Sequence, residues 1–137
     1  MAAEAGAAPR PLLLDTHAVL WWFAGSPRLS DAARAAIEDD RAPKHVSAAS
    51  VWEIATKVRL ARLPAPAGPA RDLAGAILGA GFLPLPITLE DAEAAGRLPE
   101  PLRDPFDRML VAQATRRGLT LVSLEAPFDA YGVARVW

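Results

Sequence analysis

The hydrophobic positions of this chain fall into short, wholly apolar runs separated by longer stretches with helical spacing. LLL, at Leu12–Leu14, is closed at once by Asp15 and suits a buried strand. Behind it, THAVLWWFAG reads as a helix that Gly25 and Pro27 terminate. Ser30 caps the next helical stretch, DAARAAIEDD. After Pro43, KHVS is a second strand, and in AASVWEIATKVRLARL the residues Val51, Ile54, Ala55 and Val58 recur as one apolar stripe of a helix. PAPAGPARD reads as a loop, and a small-residue helix through Ile77 leads past Gly79 and Gly81 into FLPLPI, a strand whose prolines favour a sheet edge. Thr88 opens a T-x-x-D capping box into EDAEAAGRL. A further helix begins within RDPFDRMLVAQA and ends near Gly118, LTLVS is a strand, PFDAYG is a turn or short helix, and VARVW is the last strand.

Strands that alternate with helices predict an α/β fold, a parallel sheet with helices on both faces, in which ligands bind beyond the carboxyl ends of the strands. Asp15 lies one residue past LLL and Glu125 two past LTLVS, so both acids leave the sheet at the same edge. Asp104 and Asp107 start the helix that runs back toward LTLVS, which brings them to that edge as well. Three of the acids also have a purely structural reading. Asp104 suits an N-cap, Pro105 the first helical position, and Asp107 a carboxylate facing the positive end of the macrodipole. Glu53 falls away from the apolar stripe and precedes Lys57 by four residues, which from spacing alone describes an exposed i,i+4 pair. Carboxylates gathered at one edge repel, by about 4 kcal/mol per pair at 4 Å and an effective dielectric near 20. A hard divalent cation, Mg²⁺ or Mn²⁺, offsets that repulsion and prefers oxygen ligands.

Composition narrows the chemistry. The 137 residues are 52% hydrophobic and 23% charged, which suits one compact domain, expected over residues 12–137 behind a flexible tail at 1–11. A net charge of −1 provides no global basic field, so a nucleic acid would have to be met by a local basic rim or a metal ion. The absence of cysteine excludes disulfides, thiolate zinc sites and a cysteine nucleophile, and two histidines, His17 and His45, are too few for a histidine-rich metal site. His17, opening a helix, reads as structural. Trp21 and Trp22 point about 100° apart, with the core as the default for both and a partner surface as the sharper option for one. The first residues lack the basic start of a secretory signal, and the longest apolar run, residues 73–87, is broken by glycine and proline, so a cytoplasmic protein with no membrane association is expected.

Three long blocks, LLLDTHAVLWWF, SAASVWEIATKVRLARL and RDPFDRMLVAQATRRGLTLVSLEAPFDAYGV, resemble the PIN-domain family, specifically the VapC toxins of bacterial toxin–antitoxin pairs. The resemblance runs from about residue 12 to 136 and is weakest over residues 65–98. It implies a three-layer α/β/α sandwich with a central, mainly parallel sheet of four to five strands. It also implies metal-binding acids at Asp15, Glu53, Asp107 and Glu125, with Asp104 as an extra contributor. The activity implied is metal-dependent endoribonuclease cleavage, in which Mg²⁺ (or Mn²⁺) held by Asp15 and Asp107 turns water into the nucleophile. Thr16 and Ser123 would then hydrogen-bond a carboxylate, water or phosphate, and Lys57, Arg103 and Arg108 would contact phosphates at the rim. A homodimer and a cognate VapB-like antitoxin that covers the site are the implied partners. Leu102 stands where the family commonly has histidine, and Glu125 where it usually has aspartate. Three other readings stay open: a phosphotransferase of the haloacid-dehalogenase class, whose D-x-D pattern His17 breaks, a non-catalytic PIN module, and a PIN nuclease of RNA maturation.

Overall fold

The computed structural model describes residues 9–64 and 72–137. Residues 1–8 of the expected tail and residues 65–71 of the PAPAGPARD loop lie outside them. Pro11 is already tied to the sheet, since its carbonyl accepts from the Thr120 N–H at 2.9 Å.

Among the described residues, five strands form one all-parallel sheet. β1 (Leu12–Leu14) lies at its centre, between β2 (Lys44–Ser47) and β4 (Thr120–Val122). β3 (Leu83–Leu85) pairs outside β2, and β5 (Arg135–Val136) pairs outside β4. Both faces of β1 are covered, which is why its sequence is apolar at every position instead of alternating. Leu12 and Leu14 point into one core with Ala18, Val19, Ile37, Val46 and Ile54, whereas Leu13 points into the other with Leu110, Val111, Leu121 and Phe128. The first core is covered by α1 (Thr16–Ala24), α2 (Asp31–Glu38), α3 (Ala48–Arg59) and α4 (Leu73–Gly79). Across the sheet lie α6 (Pro105–Arg117), with α5 (Leu89–Arg97) packed on it, and a 3-10 helix over Ala126–Tyr131. The result is the three-layer α/β/α arrangement expected, with β3 at a sheet edge as its prolines required.

The helix ends follow the caps in the sequence. Ser30 accepts from the Ala33 N–H at 3.0 Å, and the Thr88–Asp91 capping box is complete. Gly25 and Gly118 end α1 and α6 with φ of 61° and 63°, the left-handed geometry that a side chain resists. The strands are shorter than the apolar runs that announce them: of LTLVS only Thr120–Val122 pairs, and of VARVW only Arg135–Val136.

Two polar knots set the helices that carry the acids. Asp91, fully buried, binds both oxygens to Arg117 (2.6 and 2.8 Å), pairs with Arg116, and accepts from Gln113 Nε2 at 3.0 Å. Gln113 Oε1 in turn accepts from Ser47 Oγ at 2.6 Å, and Ser47 caps α3. This chain of bonds runs from α5 through α6 to the start of α3. Burial alone would raise the Asp91 carboxyl, but hydrogen bonds from Arg117, Gln113, the Thr88 backbone and Arg116 hold it well below the usual carboxylate range. The second knot is Arg108, whose guanidinium donates to the carbonyls of Ala95 (3.0 Å), Gly96 (3.3 Å), Leu98 and Leu102 (2.5 Å), pinning the segment ahead of Asp104. Leu102, which replaces a polar residue of the resemblance, packs against the second core. Among the described residues no helix is long and apolar enough to cross a membrane.

Candidate metal centre at the carboxyl edge of the sheet

Asp15 follows directly from the central strand, its N–H donating to the Val122 carbonyl at 3.1 Å. Its side chain caps α1 by accepting from the Ala18 N–H at 2.8 Å, and only 4% of the residue is exposed. Asp104 caps α6, accepting from the Asp107 N–H at 3.0 Å, so the capping role and a position at the cleft coexist in one residue. Asp107 sits in the first turn of α6, facing back over the sheet edge. Glu125 opens the 3-10 helix, placed by a 3.0 Å bond from its N–H to the buried Ser123 Oγ. All four acids, together with Glu53, share one cleft of about 110 Å³ with Thr16, His17 and Lys57.

Glu53 corrects the wheel reading of α3. The residues that α3 buries are Ala49, Ser50, Glu53 and Ile54, while Ala55 is exposed, so Glu53 lies on an inward face and is only 5% exposed. A buried carboxylate requires partners. Thr16 Oγ1 donates to Glu53 Oε1 at 2.5 Å and Lys57 Nζ to Oε2 at 2.7 Å, while Ser50 Oγ lies 3.1 Å from the Thr16 oxygen. The i,i+4 pair anticipated from spacing exists, but it faces the cleft.

The electrostatics are those of crowded negative charge. Burial, reinforced by Asp104, Glu53, Glu125 and Asp15, pushes the Asp107 carboxyl up to about 7. Burial also raises Asp15, with Glu125 adding to the rise while Ser123, the Ala18 N–H and His17 oppose it. Among the described residues no three His, Asp or Glu side chains are arranged as a group that could hold a metal ion. The expected five-carboxylate ligand set is therefore not a closed cage. An open set of carboxylate oxygens is nevertheless the chemistry that Mg²⁺ takes, since it keeps several waters and binds through one or two carboxylates. The donors present fit such an ion.

The remaining expectations divide. Thr16 and Lys57 line the cleft, and Ser123 is fully buried beside Asp15. Arg103 is exposed and outside the residues that line the cleft. Arg108, expected at the phosphate rim, has its guanidinium engaged by backbone carbonyls instead. His17, read as structural, does stack on Trp21 (centroids 5.2 Å apart, 25° between planes) but also lines the cleft. Trp21 and Trp22 are both half-buried against the first core. The larger cavity, about 490 Å³ between α3, α4 and β3, is lined by apolar residues such as Val51, Trp52 and Leu78 and holds no acid.

The sequence matches the model of the PIN domain over residues 12–133. The chain belongs to the PIN-domain family. Solved structures agree with its fold. One is FitAcB from Neisseria gonorrhoeae, at 22% identity and a TM-score of 0.60, covering 90% of this chain and 95% of that one. The sarcin–ricin-loop-cleaving toxin VapC20 of Mycobacterium tuberculosis is 18% identical with a TM-score of 0.64, over 90% and 96%. VapBC2 of Rickettsia felis, solved with a DNA fragment from its promoter, is 10% identical with a TM-score of 0.64, over 90% and 96%. No curated protein matches the sequence significantly. Asp15 and Asp107 thus lie at the carboxyl edge of the sheet of a PIN domain.

Proposed function

We propose that this PIN domain is a metal-dependent endoribonuclease, the cytoplasmic toxin of a VapBC-type toxin–antitoxin pair. PIN domains are generally nucleases, and the structural neighbours include a VapC toxin and complexes of toxins with antitoxins. The observation that carries the reading is the convergence of Asp15, Glu53, Asp104, Asp107 and Glu125 from four separate stretches of chain on one cleft, where burial, reinforced by the neighbouring carboxylates, pushes Asp107 up to about 7.

Asp15 and Asp107 would hold the Mg²⁺ or Mn²⁺ ion, with Asp104, Glu53 and Glu125 around it. When bound, the ion supplies an activated water and neutralises charge that develops on the phosphate. Asp104 fixes the first turn of α6 and hence the aim of Asp107. Thr16 holds Glu53 across the cleft, and Ser123 steadies Asp15. A homodimer is supported by the exposed apolar side chains of Trp52 (63% exposed) and Leu78, which line one apolar groove. The negative cleft suits a basic segment of an antitoxin.

Purified protein incubated with an RNA panel and Mg²⁺ tests the proposal. Discrete cleavage that chelator abolishes, and that Asp15→Asn and Asp107→Asn reduce at least about a hundredfold, supports the nuclease. Wild-type cutting no greater than that of the variants supports a non-catalytic interaction module instead.

A further inference from the structure

We propose that Lys57 is a resident counter-cation of the acidic cleft, which keeps Glu53 from ligating metal directly and limits each cleft to one divalent ion. The inference rests on the metal-dependent reading above and refines it. Among the described residues, the Lys57–Glu53 contact is the ion pair that any of the five cleft acids makes with a lysine or arginine. Both oxygens of Glu53 are engaged, Oε1 by Thr16 at 2.5 Å and Oε2 by Lys57 at 2.7 Å. Its side chain is 6% exposed, so breaking the pair would strand a buried charge, whereas the Lys57 side chain, 32% exposed, reaches the cleft from its rim.

The cleft is thereby divided. On the α3 side, one carboxylate is matched by one ammonium. On the side built by β1, α6 and the 3-10 helix, Asp15, Asp104, Asp107 and Glu125 have no basic side chain bonded to them among the described residues. A divalent ion is drawn to the uncompensated side and repelled from Lys57. Glu53 is then a positioning residue: it carries the lysine charge and orients Thr16, and it reaches the ion through water.

Counting bound Mn²⁺ by the electron paramagnetic resonance of the free ion, on the full-length protein, tests this without RNA. Wild type and Lys57→Arg are expected to bind one Mn²⁺ per chain, and Glu53→Gln is expected to keep it. Lys57→Met, which retains the apolar stem, is expected to bind a second Mn²⁺, or the first roughly tenfold more tightly, because a unit positive charge has left the site. The Lys57→Met, Glu53→Gln double variant should lose that gain, and thermal melts confirm that each variant folds. Two ions in wild type, no change in Lys57→Met, or loss of the single ion in Glu53→Gln would overturn the inference while leaving the nuclease reading intact. No Mn²⁺ on wild type would remove both.

Discussion

In the proposed nuclease, single carboxylates would carry the chemistry, and their protonation can be measured. Asp107 has an ordinary value of 3.8 in the unfolded chain and about 7 in the folded one, so between those values the native state binds the extra proton. Without metal, the stability contributed by Asp107 is full below pH 3.8, falls as pH rises toward 7, and is flat beyond. Thermal melts with chelator should show this decline. Asp107→Asn should lose most of it and melt a few degrees higher than wild type at pH 8, since about 1 kcal/mol corresponds to several degrees in a domain of this size. A melting point that falls from pH 4 to 7 as steeply in Asp107→Asn as in wild type would contradict the burial of Asp107. Asp104→Ala has two effects to separate. Loss of the cap should cost about 1 kcal/mol in urea denaturation, and Mg²⁺-dependent cleavage should drop beyond that because the first turn of α6 loosens.

At the level of elements, the sequence spoke clearly wherever a local signal set the outcome. Leu12–Leu14 closed by Asp15, the Ser30 cap, the Thr88–Asp91 box and the Asp104-Pro105 start are each decided within a few residues, and each stands where it was anticipated. The acids after β1 and β4 could be put at one edge because parallel strands have a common direction. What stayed illegible depends on partners far along the chain. Glu53 reads as exposed on a wheel because its partner Thr16 is 37 residues away. Arg108 reads as a rim cation because its four carbonyl acceptors belong to a loop and a neighbouring helix with no motif. Asp91 is the same lesson at larger scale: the box was readable, the Arg116–Arg117–Gln113 knot behind it was not. Asp91→Ala should destabilise by about 3 kcal/mol in urea denaturation, the low end for a broken buried pair because the freed arginines are already partly solvated. A change under about 1 kcal/mol would show that the knot does not hold α5 to α6.

For the whole molecule, charge and apolar surface are separated in space. The acids gather in a small cleft at the carboxyl edge, while the apolar surface around Trp52 opens on a groove of about 490 Å³ beside it. Trp52 and Glu53 are neighbours on α3, so a partner seated on the apolar face would border the cleft. Trp52→Glu should shift the protein toward monomer in sedimentation equilibrium with little loss of thermal stability, because the side chain is largely exposed. An unchanged association state would contradict the proposal that this face carries a homodimer contact. The claim beneath all of this is that Asp15 and Asp107, 92 positions apart, fold together to share one ion. An anomalous difference map from a crystal soaked in Mn²⁺ examines it most directly. A single peak about 2.1 Å from a carboxylate oxygen of each residue is the predicted result, and a map with no peak in the cleft, or a peak that touches only one of them, would contradict it.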